Sequence, residues 1–342
     1  MTSILLRSRA ERAGNSDSDM KDRYGRTIDY MRVSITDRCD LRCRYCMPEG
    51  CEKVSMSQIL TYEEIVRICR AASELGINKI KITGGEPFVR LGCTDLIRSI
   101  KAIEGIEEVT VTTNGQTLEK YIDELKEIGI DGINISLDTL DPERYLFITG
   151  RGELEKTVRS IERSARAGIR TKINCLLQKN FNEDEMFSFA ELAFRQGIDV
   201  RFIEMMPVGA ADAGTGLSNT YVLQRLMERW PDLEPDVSVH GNGPAVYYRR
   251  PGSEGGIGLI SSIHGKFCRS CNRVRLTSQG QLKPCLGFDT GTDLMPFLKG
   301  TDDELREAIR RAIFEKPEAH SFSDSGNDGD HAEHRLMSQI GG

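Results

Sequence analysis

From residue 31 to residue 206, short runs of alternating apolar and polar side chains recur between longer stretches with helical spacing. The runs are MRVSIT (31–36), KIKIT (79–83), EVTVTT (108–113), GINISLD (132–138), RTKINCLL (170–177) and VRFIEMM (200–206). In EEIVRICRAASELG (63–76), Ile65, Ile68, Cys69, Ala72 and Leu75 fall on one helical face and Gly76 is a stop signal. LEKYIDELKEIG (118–129) reads the same way. So does NEDEMFSFAELAFRQG (182–197), opened by an asparagine cap and an acidic first turn. Strands alternating with helices at roughly 30-residue spacing predict βαβ units and a parallel sheet. Six units are too few for an eightfold barrel, so the expected fold is α/β, a partial (βα)6 barrel of the TIM type, left open.

The pattern changes after residue 206. GAADAGTG (209–216) reads as a loop, and residues 218–300 hold one helix and short, glycine-rich β pieces such as AVYYRR and GIGLIS. A helix is expected over DDELREAIRRAIFE (302–315), while HSFSDSGNDGD (320–330) reads as loose. The expected organisation is a polar, disordered extension (1–19), the partial barrel (20–206), and a smaller C-terminal region (207–342) covering the open side. Met20 is a plausible alternative start.

Charge and composition narrow the function. The chain of 342 residues carries a net charge of −6, which argues against bulk nucleic-acid binding. It has neither an apolar run long enough for a membrane span nor a signal-peptide pattern. Ten cysteines without an export signal suggest a reducing cytoplasm, where they read as metal-binding or catalytic thiols.

Three of them, Cys39, Cys43 and Cys46, form a CxxxCxxC run on the loop after the first strand. Three thiolates leave one iron of a cubane cluster without a protein ligand. Arg38, Arg42 and Arg44 interleave with them, which excludes a continuous apolar face and favours thiolate over thiol. With Tyr45 before the third cysteine, and with TGGEP (83–87) after the second strand, the run resembles the radical S-adenosylmethionine superfamily. That resemblance implies a [4Fe-4S] cluster whose open iron binds S-adenosyl-L-methionine and whose electron releases a 5′-deoxyadenosyl radical. It further implies that Tyr45, Gly85, Ser136 and Met206 line S-adenosylmethionine. Taken alone, TGGEP is a tight turn with a helix cap, and a lone Ser or Met is a core or cap residue.

A second set, Cys268, Cys271 and Cys285, has C-x2-C-x13-C spacing. Spacing alone leaves zinc, with His264 as fourth ligand, level with iron–sulfur. Arg273 and Arg275 follow at i, i+2, on one face of a strand. Lys81, Lys172 and Arg32 lie on strands, and converging cations of this kind suit a triphosphate; singly, each is a strand residue whose charge reaches solvent.

The two cysteine trios, with VTTNG, NISLD, RFIEMM, CRSCNRVRL and the tail IGG, resemble the two-cluster branch of the superfamily that cyclises GTP at the start of molybdenum cofactor biosynthesis. The resemblance runs from about Gly25 to Gly342. It implies a second [4Fe-4S] cluster on Cys268, Cys271 and Cys285 whose open iron touches guanine. It implies GTP among Arg32, Lys81, Thr112, Lys172, Arg273 and Arg275, and a catalytic role for Arg273, Arg275, Gly341 and Gly342. The implied partners are a low-potential electron donor and a downstream cyclic pyranopterin monophosphate synthase, and the reading allows a homodimer. Lys81 stands where the family often has Arg, so charge survives but bidentate phosphate geometry does not. Alternatives are another two-cluster radical enzyme acting on a peptide, or a non-catalytic metal-binding module. Cys51, Cys69, Cys93 and Cys175 lack metal spacing, and neither Asp138 nor Glu204 has an evident partner for acid–base work.

Overall fold

The computed structural model describes residues 20–48, 54–323, 326 and 331–341. The extension 1–19, Cys51 and Gly342 lie outside the described residues.

Strands β1 (Tyr30–Ser34), β2 (Lys79–Thr83), β3 (Glu108–Thr113), β4 (Gly132–Ser136), β5 (Thr171–Cys175) and β6 (Asp199–Ile203) pair side by side, all parallel. Helices α1 (Tyr62–Ser73), α2 (Cys93–Lys101), α3 (Ile122–Ile128), α4 (Pro142–Thr149), α5 (Leu154–Arg166) and α6 (Met186–Gln196) connect them. Each strand turns its aliphatic positions outward under the helices: Met31, Val33, Ile80, Ile82, Val109, Val111, Ile133, Ile135, Ile173 and Val200 are all buried in one core. The alternate positions point into the barrel, and most of them are polar, with Ile203 of β6 among the apolar ones. Local signals start the helices where the core needs them. Thr61 and Glu64 form a reciprocal capping box on α1, and Asp141 with Pro142 opens α4.

The C-terminal region continues the same sheet at both edges. After α7 (Asn219–Arg229) come β7 (Glu234–Asp236), β8 (Val246–Arg249), β9 (Ile257–Ile260), β10 (Arg273–Leu276), β11 (Gln281–Lys283) and β12 (Thr292–Asp293). The strand order is β12-β11-β10-β1-β2-β3-β4-β5-β6-β9-β8-β7. β9 runs parallel to β6 and β10 parallel to β1, so the six βα units are flanked by two more parallel strands. Helix α8 (Asp302–Phe314) packs on α1, and the short α9 (Met337–Ile340) ends the described chain.

Two local expectations change. Asn182 caps no helix: its side chain donates to the carbonyls of Asp138 and Leu176, and a 3-10 turn over Glu183–Glu185 precedes α6. In the segment expected to be loose, Phe322 is buried in a small apolar cluster with Val208, Ile263, Leu286 and Ile340.

Phe189 of α6 meets Phe202 of β6 edge to face, with ring centroids 6.4 Å apart. Phe189→Ala should lower stability by about 3–5 kcal/mol, read from the urea midpoint of the anaerobic protein.

Candidate functional site

The barrel interior divides into three hollows that meet at Arg32 and Ile203, which line all of them.

The first hollow, about 250 Å³, lies at the C-terminal ends of the strands. It is lined by Cys39, Cys43 and Cys46, by Tyr45, Gly85, Ser136 and Met206, and by Thr112 and Arg275. The TGGEP turn holds the cysteine loop directly. Gly85 N donates to Thr36 O at 2.7 Å and Glu86 N to Arg38 O at 2.8 Å. A Cβ on Gly85 would stand 2.3 Å from Arg38 O, so only glycine allows this approach. The carboxylate of Glu86 binds Thr113 Oγ1 and Asn114 N, and its burial raises its pKa to about 7. Tyr45 donates to Asp138 at 2.7 Å, so this carboxylate does have a partner; burial lifts it to about 6. The interleaved arginines do not favour thiolate here. Burial, followed by the negative charge of neighbours, raises the Cys39 and Cys43 thiols, while Arg42 bonds backbone carbonyls and Arg44 stacks 3.8 Å over Phe147. Binding to iron would deprotonate these thiols.

The second hollow, about 150 Å³, holds Cys268, Cys271 and Cys285 with Arg273, Arg275 and Met206. His264 is not among its walls. Its ring Nδ1 lies 3.1 Å from Glu204, whose carboxylate also accepts the amides of Asn219, Ile263 and His264. Glu204 thus organises a loop and contacts the His264 ring outside the walls of this hollow. Among the described residues no His, Cys, Asp or Glu group is arranged around a single ion. A cubane takes one thiolate per iron, so each trio can hold three irons of one. Lys316, passed over in the sequence, is buried here and donates to Arg273 O at 2.9 Å. Although burial acts to raise the Cys271 thiol, Lys316 and Arg273 together hold it below its ordinary range.

The third hollow, about 370 Å³, occupies the barrel toward the N-terminal ends of the strands. Arg32, Lys81, Arg170, Lys172, Arg201 and Arg273 line it against only two carboxylates, Glu108 and Asp236; Thr112 lines it too. Lys81 is pushed well down by burial, then by Arg201, Arg32 and Lys172. Lys172 falls to about 8 through burial and Arg201, although Asp199 stands 3.2 Å away. Arg201 is a residue the sequence reading missed. It points inward two positions before Ile203 and is steered by Asn134 and Asn174. Strand alternation in VRFIEMM was the signal that could have found it. The tail reaches this junction as well: Gly341 O accepts from Thr83 Oγ1 and Arg275 Nη1, both at 3.2 Å.

Residues 33–193 match the Radical SAM superfamily and residues 198–322 match Molybdenum Cofactor Synthesis C. The chain is 41% identical over 326 residues to the GTP 3′,8-cyclase of Clostridium perfringens (strain SM101 / Type A), covering 94% of this chain and 100% of that one. It is 44% identical to the GTP 3′,8-cyclase of Peptoclostridium acidaminophilum, covering 91% and 96%. Among solved structures, Streptococcus suis SuiB bound to S-adenosylmethionine superposes with a TM-score of 0.60 at 17% identity, over 83% of this chain and 68% of that one. Native anSMEcpe with bound AdoMet gives 0.56 at 14%, over 91% and 94%. These structural likenesses show the partial-barrel fold.

Anaerobically reconstituted protein should carry about eight irons and no zinc. Gly85→Ala, by displacing Arg38 beside Cys39, should lower this to about four, read by metal analysis.

Proposed function

The chain belongs to the GTP 3′,8-cyclase family of radical S-adenosylmethionine enzymes, and from that premise we propose how its own residues divide the work. The enzyme cyclises GTP to (8S)-3′,8-cyclo-7,8-dihydroguanosine 5′-triphosphate, the first step of molybdenum cofactor biosynthesis. When bound, its two [4Fe-4S] clusters and S-adenosylmethionine supply the electron and the adenosyl radical that removes hydrogen from ribose C3′. Cys39, Cys43 and Cys46 would hold one cluster and Cys268, Cys271 and Cys285 the other. Tyr45, Gly85, Ser136 and Met206 would line S-adenosylmethionine.

The observation that carries the assignment of the substrate is the charge of the third hollow. Six cations face two carboxylates there, and burial, followed by mutual repulsion, depresses the lysines. A triphosphate relieves that repulsion. Arg32, Lys81 and Lys172, with Arg201, would take the phosphates, and Thr112 would add a hydroxyl. Arg273 and Arg275, on one face of β10, would hold the guanine end beside the second cysteine trio, with Gly341 closing the site; a catalytic role for Gly342 belongs to the same proposal. Arg32, common to all three hollows, then stands where ribose meets the adenosyl group.

The reaction closes a ring without hydrolysis or group transfer, so we class the enzyme as a lyase. The domain division falls near residue 206, with the second cluster and tail in the C-terminal part. The electron comes from a low-potential donor, and the product passes to cyclic pyranopterin monophosphate synthase. Clusters with an open iron need a reducing cytoplasm, and no helix among the described residues is long and apolar enough to cross a membrane. Homodimer formation belongs to the same proposal and is read by light scattering.

Anaerobic incubation with S-adenosylmethionine, a reductant and each ribonucleoside triphosphate should yield 5′-deoxyadenosine with GTP alone. Formation regardless of nucleotide would favour a peptide substrate instead. Arg273→Ala should raise the KM for GTP roughly tenfold or more with iron content unchanged.

Because Lys172 titrates near pH 8 in the free enzyme, its positive charge is present below that pH and lost above it. The kcat/KM for GTP should therefore fall as pH rises through about 8. Lys172→Arg, whose charge persists, should extend the plateau.

A further inference from the structure

The tail that brings Gly341 to Thr83 and Arg275 is held a few residues earlier by a sealed ion pair. Glu333 and Lys283 of β11 form this pair, and both side chains are fully buried. Glu333 Oε1 accepts the backbone N and Nε of Arg335, at 2.8 and 3.0 Å, while Oε2 accepts Lys283 Nζ and Arg335 Nη2. Both carboxylate oxygens are thus doubly satisfied. Lys283 also donates to Phe288 O, and Arg335 reaches Gln281 Oε1 at 2.6 Å and Asp289 O at 3.2 Å. Backbone pairing reinforces the junction, with Glu333 N on Gly287 O at 3.1 Å.

What lies beyond this clamp is wall, not core. Met337 lines the hollow of the first cysteine trio, and Ile340 packs beside Leu286, next to Cys285. Gly341 has a φ of 88° and comes so close that an added Cβ would stand 3.0 Å from Ser34 Cβ. A short segment threaded this closely has a fixed position only if its root is fixed. The clamp sits on β11, which leads directly to Cys285, so one element roots both the tail and a second-trio cysteine.

We propose that Glu333, paired with Lys283 and Arg335, is a positioning residue for the cyclisation. It acts through the tail, setting Met337 and the Gly341 carbonyl against the two hollows where S-adenosylmethionine and the guanine end of GTP would lie. The proposal rests on the function assigned above and adds the element that keeps radical formation coupled to ring closure.

The test compares Glu333→Ala, Glu333→Gln and Arg335→Ala with the parent protein, all reconstituted anaerobically. Hydrogen exchange at residues 336–341 reads the tail, and cyclised nucleotide per 5′-deoxyadenosine reads the coupling. Glu333→Ala should strip protection from the tail while β1–β6 stay protected. It should lower the coupling ratio by roughly 100-fold with iron content and GTP affinity little changed. Arg335→Ala, which keeps the buried pair, should fall between parent and Glu333→Ala and serves if the latter does not fold. Glu333→Gln, of the same shape, should also lose coupling, because the charge rather than the volume is what the two cations need. An unchanged tail in these variants, or a released tail with coupling intact, overturns the proposal. If the parent itself makes no cyclised nucleotide, the assigned function fails, while exchange still reports whether Glu333 roots the tail.

Discussion

Like charges stand side by side inside this barrel, and the rest of the structure is organised around tolerating them. Arg275, Arg32 and Lys81 are register partners across β10, β1 and β2, so neighbouring strands, about 5 Å apart, aim cations into the barrel interior, with Arg32 between hollows lined by the other two. At an effective dielectric of about 20, each such pair costs on the order of a few kcal/mol. Burial adds to the cost and leaves Lys81 with a strongly depressed pKa. The outer face of the same strands offsets this, because its aliphatic side chains bury against the surrounding helices in one continuous core. The stability of the barrel thus comes from its outside and its chemistry from its inside. The two are separated by the single-residue alternation of a strand.

That alternation is also why so much was legible in the sequence. The six strands, the helices with one apolar face, and the cysteine trios are local patterns with fixed periods. Ser136, Thr112 and Lys172 could be placed because they share strands with recognisable motifs. What escaped depends on contacts distant in sequence. Asn182 looks like a cap from its neighbours, but Asp138 and Leu176 claim its side chain. His264 looks like a ligand from its spacing to Cys268, but Glu204 holds it elsewhere. Arg201 sits in a motif that was read for its strand and its methionine, and the alternation that turns it inward was left unused; its partners Asn134 and Asn174 come from strands distant in sequence. Lys316 carries no pattern at all, and its place beside the second trio comes from how the segment after α8 returns to β10.

The charge of the sequence as a whole hid the site. A net −6 describes the exterior, where carboxylates pair with arginines, between helices as in Arg163 with Asp123 or between turns as in Arg250 with Asp232. Such exposed pairs contribute little to stability. The interior has the opposite sign, so the acidic average coexists with a basic cavity. The expectation against bulk nucleic-acid binding rested on net charge, which says nothing about a nucleotide held within.

The open seam of the barrel is where the second trio belongs. β9 and β10 end the parallel arc on opposite sides and do not pair with each other. The chain between them, residues 261–272, must cross from one edge to the other, and it carries Cys268 and Cys271. Had β9 and β10 paired, their hydrogen bonds would have closed the barrel and its interior would be filled by side chains. Leaving them apart keeps a gap that two cysteines on the crossing and Cys285 after β11 surround. Arg273 opens β10 directly after that crossing, so the residue that faces the cation-lined hollow is tied by two peptide bonds to Cys271. Arg273 and two cysteines of the second trio are therefore carried by one continuous piece of chain laid across the gap. Moving either part displaces the other.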